Sequence, residues 1–483
     1  MSKKIGLFLA PLLFLIILLL PAPELLGEPA WKVIAIAVFM LVWWITEAVP
    51  IPVASLLPMV LLPLLGVMDI KTATAPYANP IVFLFMGGFM VALAMERWNL
   101  HRRIALNIVK ITGTNANGII LGFMLATALL SMWISNTATT VMMLPIAVSV
   151  IDLLSNNRSD NTGKGMRNFA IAMMLGIAYA ANIGGTATII GTPPNSVFAG
   201  FVLETYGYEI SFAKWMLLGV PFAALLLGLT YSFLVKIFYP NRLGKFEGAQ
   251  ELIEEEVTKL GRLSREEKLV LIIFLSTALC WMMRVPINSL FKFIDLPIAL
   301  SDTGIALIAT ISLFIVPRDL KFGEFLMEWK DTEKLPWGIL LLFGGGLSLA
   351  GALSATGVID LIGSQFEAAE STGFLIILGL TAVSLFLTEV MSNVALVTIF
   401  LPVVGGIAIG TGVDPIYLMI PVTLAASCAF MLPMSTPPNA IVFASGHLTV
   451  MQMVRAGIIL NLLSILLIAV LAKWIIPLVF SKG

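Results

Sequence analysis

The chain has 483 residues, of which 59% are hydrophobic and only 12% are charged, and its formal net charge is zero. These proportions exclude a soluble globular enzyme, which has roughly 45–50% apolar and about 25% charged residues, and they exclude a disordered chain. A chain without excess positive charge has no electrostatic attraction to nucleic acid. Only two histidines are present, which nearly excludes histidine-based metal catalysis. The composition predicts an all-α, polytopic membrane protein embedded in a lipid bilayer, and not an enzyme.

Apolar stretches without Asp, Glu, Lys or Arg recur along the chain, and a helix of roughly 20 such residues crosses a bilayer. The first stretch, in residues 1–30, predicts an N-terminal transmembrane helix. A signal peptide is the alternative, but no small-residue cleavage site follows. Altogether we expect about eleven transmembrane helices. Three stretches are too long for one span and must each hold two spans, a hairpin or a broken helix: Ile111–Ile151 (41 residues), Phe169–Leu203 (35) and Pro415–Met451 (37).

The basic residues predict the orientation of the chain. With the N-terminus in the cytoplasm, 21 of the 28 Lys and Arg residues fall in cytoplasmic segments, as the positive-inside rule requires. The same count puts the C-terminus outside, in a multi-pass protein of the plasma (inner) membrane. The charged segment 241–268 is expected to be a cytoplasmic linker between two halves, 31–240 and 269–483.

Three short fragments occur twice in the same order, once in each half, which predicts an internal repeat. Gly87 and Gly344 are 257 positions apart, as are Ser135 and Ser392, while Thr192 and Thr436 are 244 positions apart. The crossing count gives the two halves opposite orientations, and inverted repeats are typical of secondary transporters whose binding sites lie near the membrane midplane. The pairs are Phe85-Met86-Gly87-Gly88 with Phe343-Gly344-Gly345-Gly346, Ser135-Asn136-Thr137 with Ser392-Asn393-Val394, and Thr192-Pro193-Pro194-Asn195 with Thr436-Pro437-Pro438-Asn439.

The two Ser-Asn fragments lie within long apolar stretches, where two interpretations are open. Either two full helices flank an ordinary aqueous loop, or two half-helices form a re-entrant hairpin with its tip inside the membrane. The second copy, and the absence of a charged loop at the tip, favour hairpins around 116–151 and 373–412. Irregular backbone at membrane depth must be buried in protein or line a cavity, so each tip predicts a binding site.

The two Thr-Pro-Pro-Asn fragments predict helix breaks, because proline has no N–H donor and clashes with the preceding turn. With glycines before the first copy, Ile183–Thr192 is not expected to be regular helix. Carbonyl, hydroxyl and amide oxygens at such breaks suit a desolvated Na⁺, whereas amides and helix N-termini suit a carboxylate or sulfate. No Lys or Arg lies in either tip or break, so a bound dianion would need co-bound cations. Glu389, beside the second tip, is expected to have a structural or coupling role.

Paired Ser-Asn tips on inverted repeats, followed by the stretch Ser427–Val442, resemble the divalent anion/sodium symporters. This family includes sodium–dicarboxylate and sodium–citrate cotransporters, and the resemblance covers nearly the whole chain. It implies a homodimer in which each protomer has a scaffold domain and a mobile transport domain that moves as an elevator. It also implies that several Na⁺ ions are carried with one dicarboxylate such as succinate, fumarate or malate.

The resemblance also implies particular site residues at matching positions. The internal symmetry supports them, since it pairs Ser131 with Thr388 and Asn136 with Asn393. One sodium site would use Ser131, Ser135, Asn136 and Gly191, and the other would use Thr388, the Met391 carbonyl, Asn393 and Ser435. The substrate would contact Asn136, Thr137, Thr192, Pro193, Asn393, Val394, Thr436 and Pro437.

Val394 departs from the family pattern, in which a threonine would complete the second triplet. The lost hydroxyl leaves the substrate open among dicarboxylates, citrate and sulfate. Some family members are sodium-independent exchangers, so exchange is an alternative to sodium-coupled symport. A passive anion channel or a non-transporting scaffold is a third hypothesis.

Overall fold

The structure is a computed structural model that describes residues 2–113, 115–156, 163–244, 249–319, 323–366 and 373–480. Within these ranges the regular elements are helices, and an isolated antiparallel bridge joins Pro317 to Phe325. The predicted all-α fold is therefore confirmed.

Among its described residues, the first half of the chain forms twelve α-helices, a 3₁₀-helix at Ala75–Ala78 and a π-helical turn at Phe233–Phe238. The N-terminal helix is shorter than the predicted segment 1–30, because Pro21 and Pro23 follow its end. The α-helices are α1 (Ser2–Leu19), α2 (Glu28–Thr46), α3 (Ile51–Ala54), α4 (Leu57–Leu64), α5 (Ile70–Thr74), α6 (Pro80–Arg97), α7 (Leu100–Ile111), α8 (Ala116–Ser131), α9 (Asn136–Asn156), α10 (Gly163–Gly185), α11 (Pro193–Tyr206) and α12 (Phe212–Ser232).

The described parts of the linker and the second half form eleven α-helices and a 3₁₀-helix at Trp329–Lys334. A capping box at Ser264 starts the first long helix of this half inside the predicted linker 241–268. The α-helices are α13 (Ala249–Lys259), α14 (Arg265–Phe293), α15 (Asp302–Ile315), α16 (Trp337–Ala355), α17 (Val358–Ser364), α18 (Gly373–Leu387), α19 (Asn393–Thr411), α20 (Pro415–Ala426), α21 (Pro437–Ala444), α22 (Val450–Trp474) and α23 (Ile476–Phe480).

The described part of the chain has nine helical segments long and apolar enough to cross a membrane, and five shorter apolar helices. Helices α8 and α18, the first arms of the two predicted hairpins, are among the shorter ones. Large apolar side chains cover the outer face of α14, where Ile272, Leu275 and Leu279 are each more than half exposed. Such a face is stable only in contact with lipid or another apolar surface, as expected of a polytopic membrane protein.

The helices of the two halves follow the same order, with α6 to α12 matched one by one by α16 to α22. The repeated glycines lie where each half packs against the other. A Cβ on Gly87 of α6 would lie 2.7 Å from the Ala306 side chain of α15, and one on Gly345 of α16 would lie 2.2 Å from the Ser55 carbonyl oxygen. The glycines therefore permit close contact between the halves. The opposite orientation of the halves remains a prediction.

Polar side chains attach the linker to α7. Arg102 of α7 forms a 2.5 Å ion pair with Glu256 of α13, and hydrogen bonds from Lys259 and Arg102 hold the pKa of Glu256 below its usual value. Arg103 forms a largely buried ion pair with Glu267 at 2.8 Å and also donates to carbonyls of the turn after α13. The segment between the halves is thus bonded to a helix of the first half.

Candidate functional site

Four interruptions of helix lie at the repeated polar fragments. We name residues 132–135 and 388–392 the first and second tips, and residues 186–192 and 427–436 the first and second breaks. The helix that follows each interruption begins within its repeated fragment, at Asn136, Pro193, Asn393 and Pro437. The polar residues therefore mark the starts of α9, α11, α19 and α21, where backbone N–H groups have no partner inside the helix.

The first break is shorter than the expected irregular stretch Ile183–Thr192, because α10 continues through Gly185. Gly184 does not interrupt the helix but lets α10 and α8 pack closely. A Cβ at this position would lie 2.2 Å from the Ala128 carbonyl oxygen of α8. A regular helix can therefore carry these glycines where another helix passes very close to it.

Three oxygen atoms converge at the first tip. The Ser131 hydroxyl, at the end of α8, lies 2.5 Å from Oδ1 of Asn136 and 2.8 Å from the carbonyl oxygen of Ala181. A hydroxyl has one hydrogen and can donate it to only one of these acceptors. The cluster thus has more oxygen lone pairs than hydrogens, which is the character of a site for a hard cation.

The second tip repeats this arrangement at the corresponding positions. The Thr388 hydroxyl lies 2.8 Å from Oδ1 of Asn393 and 2.7 Å from the carbonyl oxygen of Ala426. Ser131 and Thr388 are both fully buried, so water does not reach either hydroxyl. We name these groups the first and second oxygen clusters. The sequence symmetry that paired Ser131 with Thr388 is thus reproduced in atomic contacts.

The first break is held by the last residue of its Thr-Pro-Pro-Asn fragment. The buried Asn195 amide donates towards the carbonyl oxygens of Gly185, Thr186 and Thr188, at distances of 3.4, 3.3 and 2.8 Å. A Cβ on Gly185 would lie 2.6 Å from Oδ1 of Asn136 and 3.1 Å from the Gly191 carbonyl oxygen. Because Gly185 has no side chain, Asn136 and the first break can both approach the end of α10 closely.

Asn439 holds the second break in the same way. Its amide donates to the carbonyl oxygens of Ala429 and Leu432 and to the Ser435 hydroxyl, each at 3.1 Å. The Ser435 hydroxyl in turn donates to the Leu432 carbonyl oxygen at 2.7 Å. Asn195 and Asn439 recur in the sequence as the ends of the two fragments, but their role in holding the breaks was not predicted.

Helix α10 of the first half contacts the second break directly. Asn182, on α10 of the first half, donates to the Thr436 hydroxyl of the second break at 3.0 Å. Tyr179, one turn earlier, donates to the Phe430 carbonyl oxygen at 2.8 Å. The repeat offset of 244 places Ala426 opposite Asn182, so the second half has no matching amide. Because Asn182 lies outside the repeated fragments, sequence reasoning missed it.

The predicted site residues differ in exposure. The predicted cation ligands Ser131, Gly191, Thr388 and Ser435 are buried, while Ser135, Asn136, Met391 and Asn393 are half-buried. Six further residues are predicted to contact the substrate but not sodium. Of these, Thr192 and Thr436 are buried, Pro193 and Val394 are half-buried, and Thr137 and Pro437 are exposed. The Ser135 hydroxyl accepts a hydrogen bond from the Ala138 N–H at 3.2 Å, which caps α9. The ligand roles of these residues remain predictions.

Neutral oxygens, and not charged side chains, dominate the tips and breaks. In the ranges described above, no group of three or more His, Cys, Asp or Glu could hold a metal ion. Buried hydroxyl, amide and carbonyl oxygens favour a hard cation over a transition metal. The N–H groups at the starts of α9, α11 and α19 favour an anion beside the cation sites.

Broken apolar helices whose polar interruptions meet in the interior define the class of the protein as a membrane transporter. A model of the sodium:sulfate symporter transmembrane region matches residues 1–481. The chain belongs to this sodium:sulfate symporter family and is not an enzyme.

Similar proteins support the assignment. The chain is 41% identical over 479 residues to the sodium-dependent dicarboxylate transporter SdcS of Staphylococcus saprophyticus, covering 99% of this chain and 92% of the relative. It is 41% identical over 483 residues to SdcS of Staphylococcus aureus strain USA300, with the same coverage.

Two solved structures share the fold at low sequence identity. The Alcanivorax borkumensis YdaH transporter aligns with a TM-score of 0.61 and 13% identity, covering 94% of this chain and 100% of that chain. The Neisseria gonorrhoeae MtrF structure aligns with a TM-score of 0.57 and 13% identity, covering 95% and 96%. At this identity the likeness shows the fold alone.

Substituting Gly185 tests whether transport needs the close approach of Asn136 to the end of α10. The Gly185→Ala variant should lose transport at least about tenfold, since the added Cβ would lie 2.6 Å from Oδ1 of Asn136. Initial uptake of a radiolabelled dicarboxylate, the substrate class named for the relatives, is measured in proteoliposomes. Gly228→Ala is the control, because a Cβ there meets no atom within 4 Å. Normal uptake by a well-folded Gly185→Ala variant would show that this close approach has no role in transport.

Proposed function

We propose that the protein is a sodium-coupled symporter that imports dicarboxylates of the succinate, fumarate and malate type. The observation that carries the proposal is the duplicated oxygen cluster, in which one hydroxyl hydrogen lies between two acceptors at each tip. The names of the relatives, sodium-dependent dicarboxylate transporters at 41% identity, support the same conclusion.

The charge of the interior supports coupling between the two substrates. The tips and breaks contain no Lys or Arg, so nothing in them offsets the two negative charges of a dicarboxylate. Bringing such an anion into a low-dielectric interior is costly without a counter-charge. Sodium ions at the two oxygen clusters supply that counter-charge, and each substrate therefore raises the affinity of the other.

We assign the roles of the site residues as follows. Sodium ions bind at the buried clusters around Ser131 and Thr388, with Asn136 and Asn393 as shared ligands. The substrate carboxylates bind on the more exposed side of the same asparagines, where N–H groups at the starts of α9 and α19 are donors. The remaining proposed sodium ligands are Ser135, Gly191, Met391 and Ser435, and the remaining proposed substrate contacts are Thr137, Thr192, Pro193, Val394, Thr436 and Pro437.

We infer that transport occurs by an elevator movement in a homodimer. Contacts between the halves support a single mobile unit, because α21 packs against α9 and α10, and α11 packs against α19. A separate apolar cluster, which includes Val33, Trp44 and Leu342, joins the first helices of the chain to α16 and supports a distinct scaffold. The proposed orientation in the plasma membrane has the N-terminus in the cytoplasm and the C-terminus outside.

Uptake into proteoliposomes tests the proposed function. Radiolabelled succinate should accumulate when Na⁺ is outside, and uptake should fall to background when choline or K⁺ replaces Na⁺. Citrate and sulfate, measured in parallel, determine the substrate class. Sodium-independent uptake that requires a dicarboxylate inside would show exchange, and flux far above carrier turnover would show a channel; either result would contradict the proposal.

Removal of either buried hydroxyl tests the oxygen clusters. Ser131→Ala and Thr388→Val should each raise the Na⁺ concentration for half-maximal uptake at least about fivefold, because each removes one sodium ligand. The Michaelis constant for succinate at saturating Na⁺ should stay within about twofold. Ser149→Ala is the control, since its exposed hydroxyl bonds only to the preceding helical turn of α9. Unchanged sodium dependence in both variants would show that neither hydroxyl belongs to a sodium site.

A further inference from the structure

A buried carboxylate lies beside the second oxygen cluster. Glu389 directly follows Thr388, the residue whose hydroxyl forms that cluster, and it is only 3% exposed. The sequence predicts a structural or coupling role for this residue beside the second tip. It does not indicate which groups contact the carboxylate. A buried acid inside an apolar protein is costly unless its environment stabilises it.

Four N–H donors surround the carboxylate. Its Oε1 accepts from the Phe430 N–H at 2.8 Å, the Met431 N–H at 3.0 Å and the Asn461 amide at 2.8 Å. Its Oε2 accepts from the Leu432 N–H at 3.1 Å. Every bond is donated to the acid, which is the pattern of an ionised carboxylate. Within the described ranges no basic side chain forms an ion pair with Glu389, so its charge has hydrogen bonds but no counter-ion.

The first half has no equivalent charge. The offset of 257 places Met132 at the position matching Glu389. There the Met132 carbonyl oxygen accepts a 2.6 Å hydrogen bond from the Thr188 hydroxyl, so a neutral bond ties the first tip to the first break. Two sites that are alike in their oxygen ligands therefore differ by one negative charge.

The carboxylate and the second break share peptide groups. The N–H of Leu432 donates to Glu389, while its carbonyl oxygen accepts from Asn439 and from Ser435, a proposed sodium ligand. Glu389 thus orients the second break at Leu432, whose N–H points towards the acid and whose carbonyl oxygen points towards Ser435. Its unpaired charge lies next in the chain to Thr388, in an interior where electrostatic attraction is weakly screened.

We propose that Glu389 is a positioning residue that makes the second oxygen cluster the tighter of the two sodium sites, so that it binds Na⁺ before the first. This inference rests on the proposed sodium-coupled function. The bound cation offsets a charge that is uncompensated in its absence, whereas the first cluster has only neutral oxygens. Sodium affinity is therefore unequal between the two oxygen clusters, although their oxygen ligands match.

The Glu389→Gln variant tests the effect of the charge. It should raise the Na⁺ concentration for half-maximal uptake at least about fivefold and leave the Michaelis constant for succinate at saturating Na⁺ within about twofold. Asn461→Ala is the matched control, since it removes one hydrogen bond to the carboxylate and keeps the charge. Equal shifts in the two variants, or no shift in Glu389→Gln, would overturn the inference.

A second measurement does not depend on the folding of Glu389→Gln. Thermal stabilisation of purified protein by Na⁺ alone is titrated for Ser131→Ala, which keeps the second cluster intact, and for Thr388→Val, which keeps the first. Half-maximal stabilisation should need less Na⁺ in Ser131→Ala, and an equal or reversed order would overturn the inference. A wild-type protein without any sodium response would overturn the proposed function itself, whereas two variants that both need more Na⁺ than the wild type, and by equal amounts, would overturn this inference alone.

Discussion

Peptide groups released by a break in a membrane helix cannot be hydrated by lipid, and the interior of this protein depends on that constraint. Helices are interrupted twice in each half, at a tip and at a break, and each break is held by an asparagine from the helix that follows it. Asn195 binds carbonyl oxygens of the first break, and Asn439 binds those of the second. The amides hold the irregular backbone of the two breaks in a fixed shape.

At the two tips, the interruption of the helices brings several oxygen atoms together. A single hydroxyl, Ser131 or Thr388, has two oxygen acceptors within hydrogen-bonding distance and can satisfy only one. In the proposed function, sodium uses the remaining lone pairs, and its charge makes the neighbouring space favourable for an anion. In this account coupling needs no charged residue in contact with the substrate. The sequence shows the same feature as long uncharged stretches interrupted by Ser, Asn, Thr and Pro.

Much of this arrangement could be predicted from the sequence. Each polar motif is weak evidence alone, but its occurrence in both halves, in the same order, indicated a shared structural role. The Ser-Asn and Thr-Pro-Pro-Asn fragments correctly marked the places where helices are interrupted. Contacts between distant helices could not be predicted in this way. Asn182 occurs once and has no repeated partner, and the donors to Glu389 come from a segment some forty residues away and from Asn461. The glycines before the first break suggested irregular backbone, whereas they allow close helix packing.

The most direct test of the account is the ratio of sodium to dicarboxylate carried in one cycle. Initial fluxes of ²²Na⁺ and ¹⁴C-succinate are measured together in the same proteoliposomes, with protein-free vesicles as the background. Two oxygen clusters that both bind Na⁺ predict a flux ratio of at least two sodium ions per dicarboxylate. A ratio below two, or succinate accumulation without accompanying sodium flux, would contradict the account.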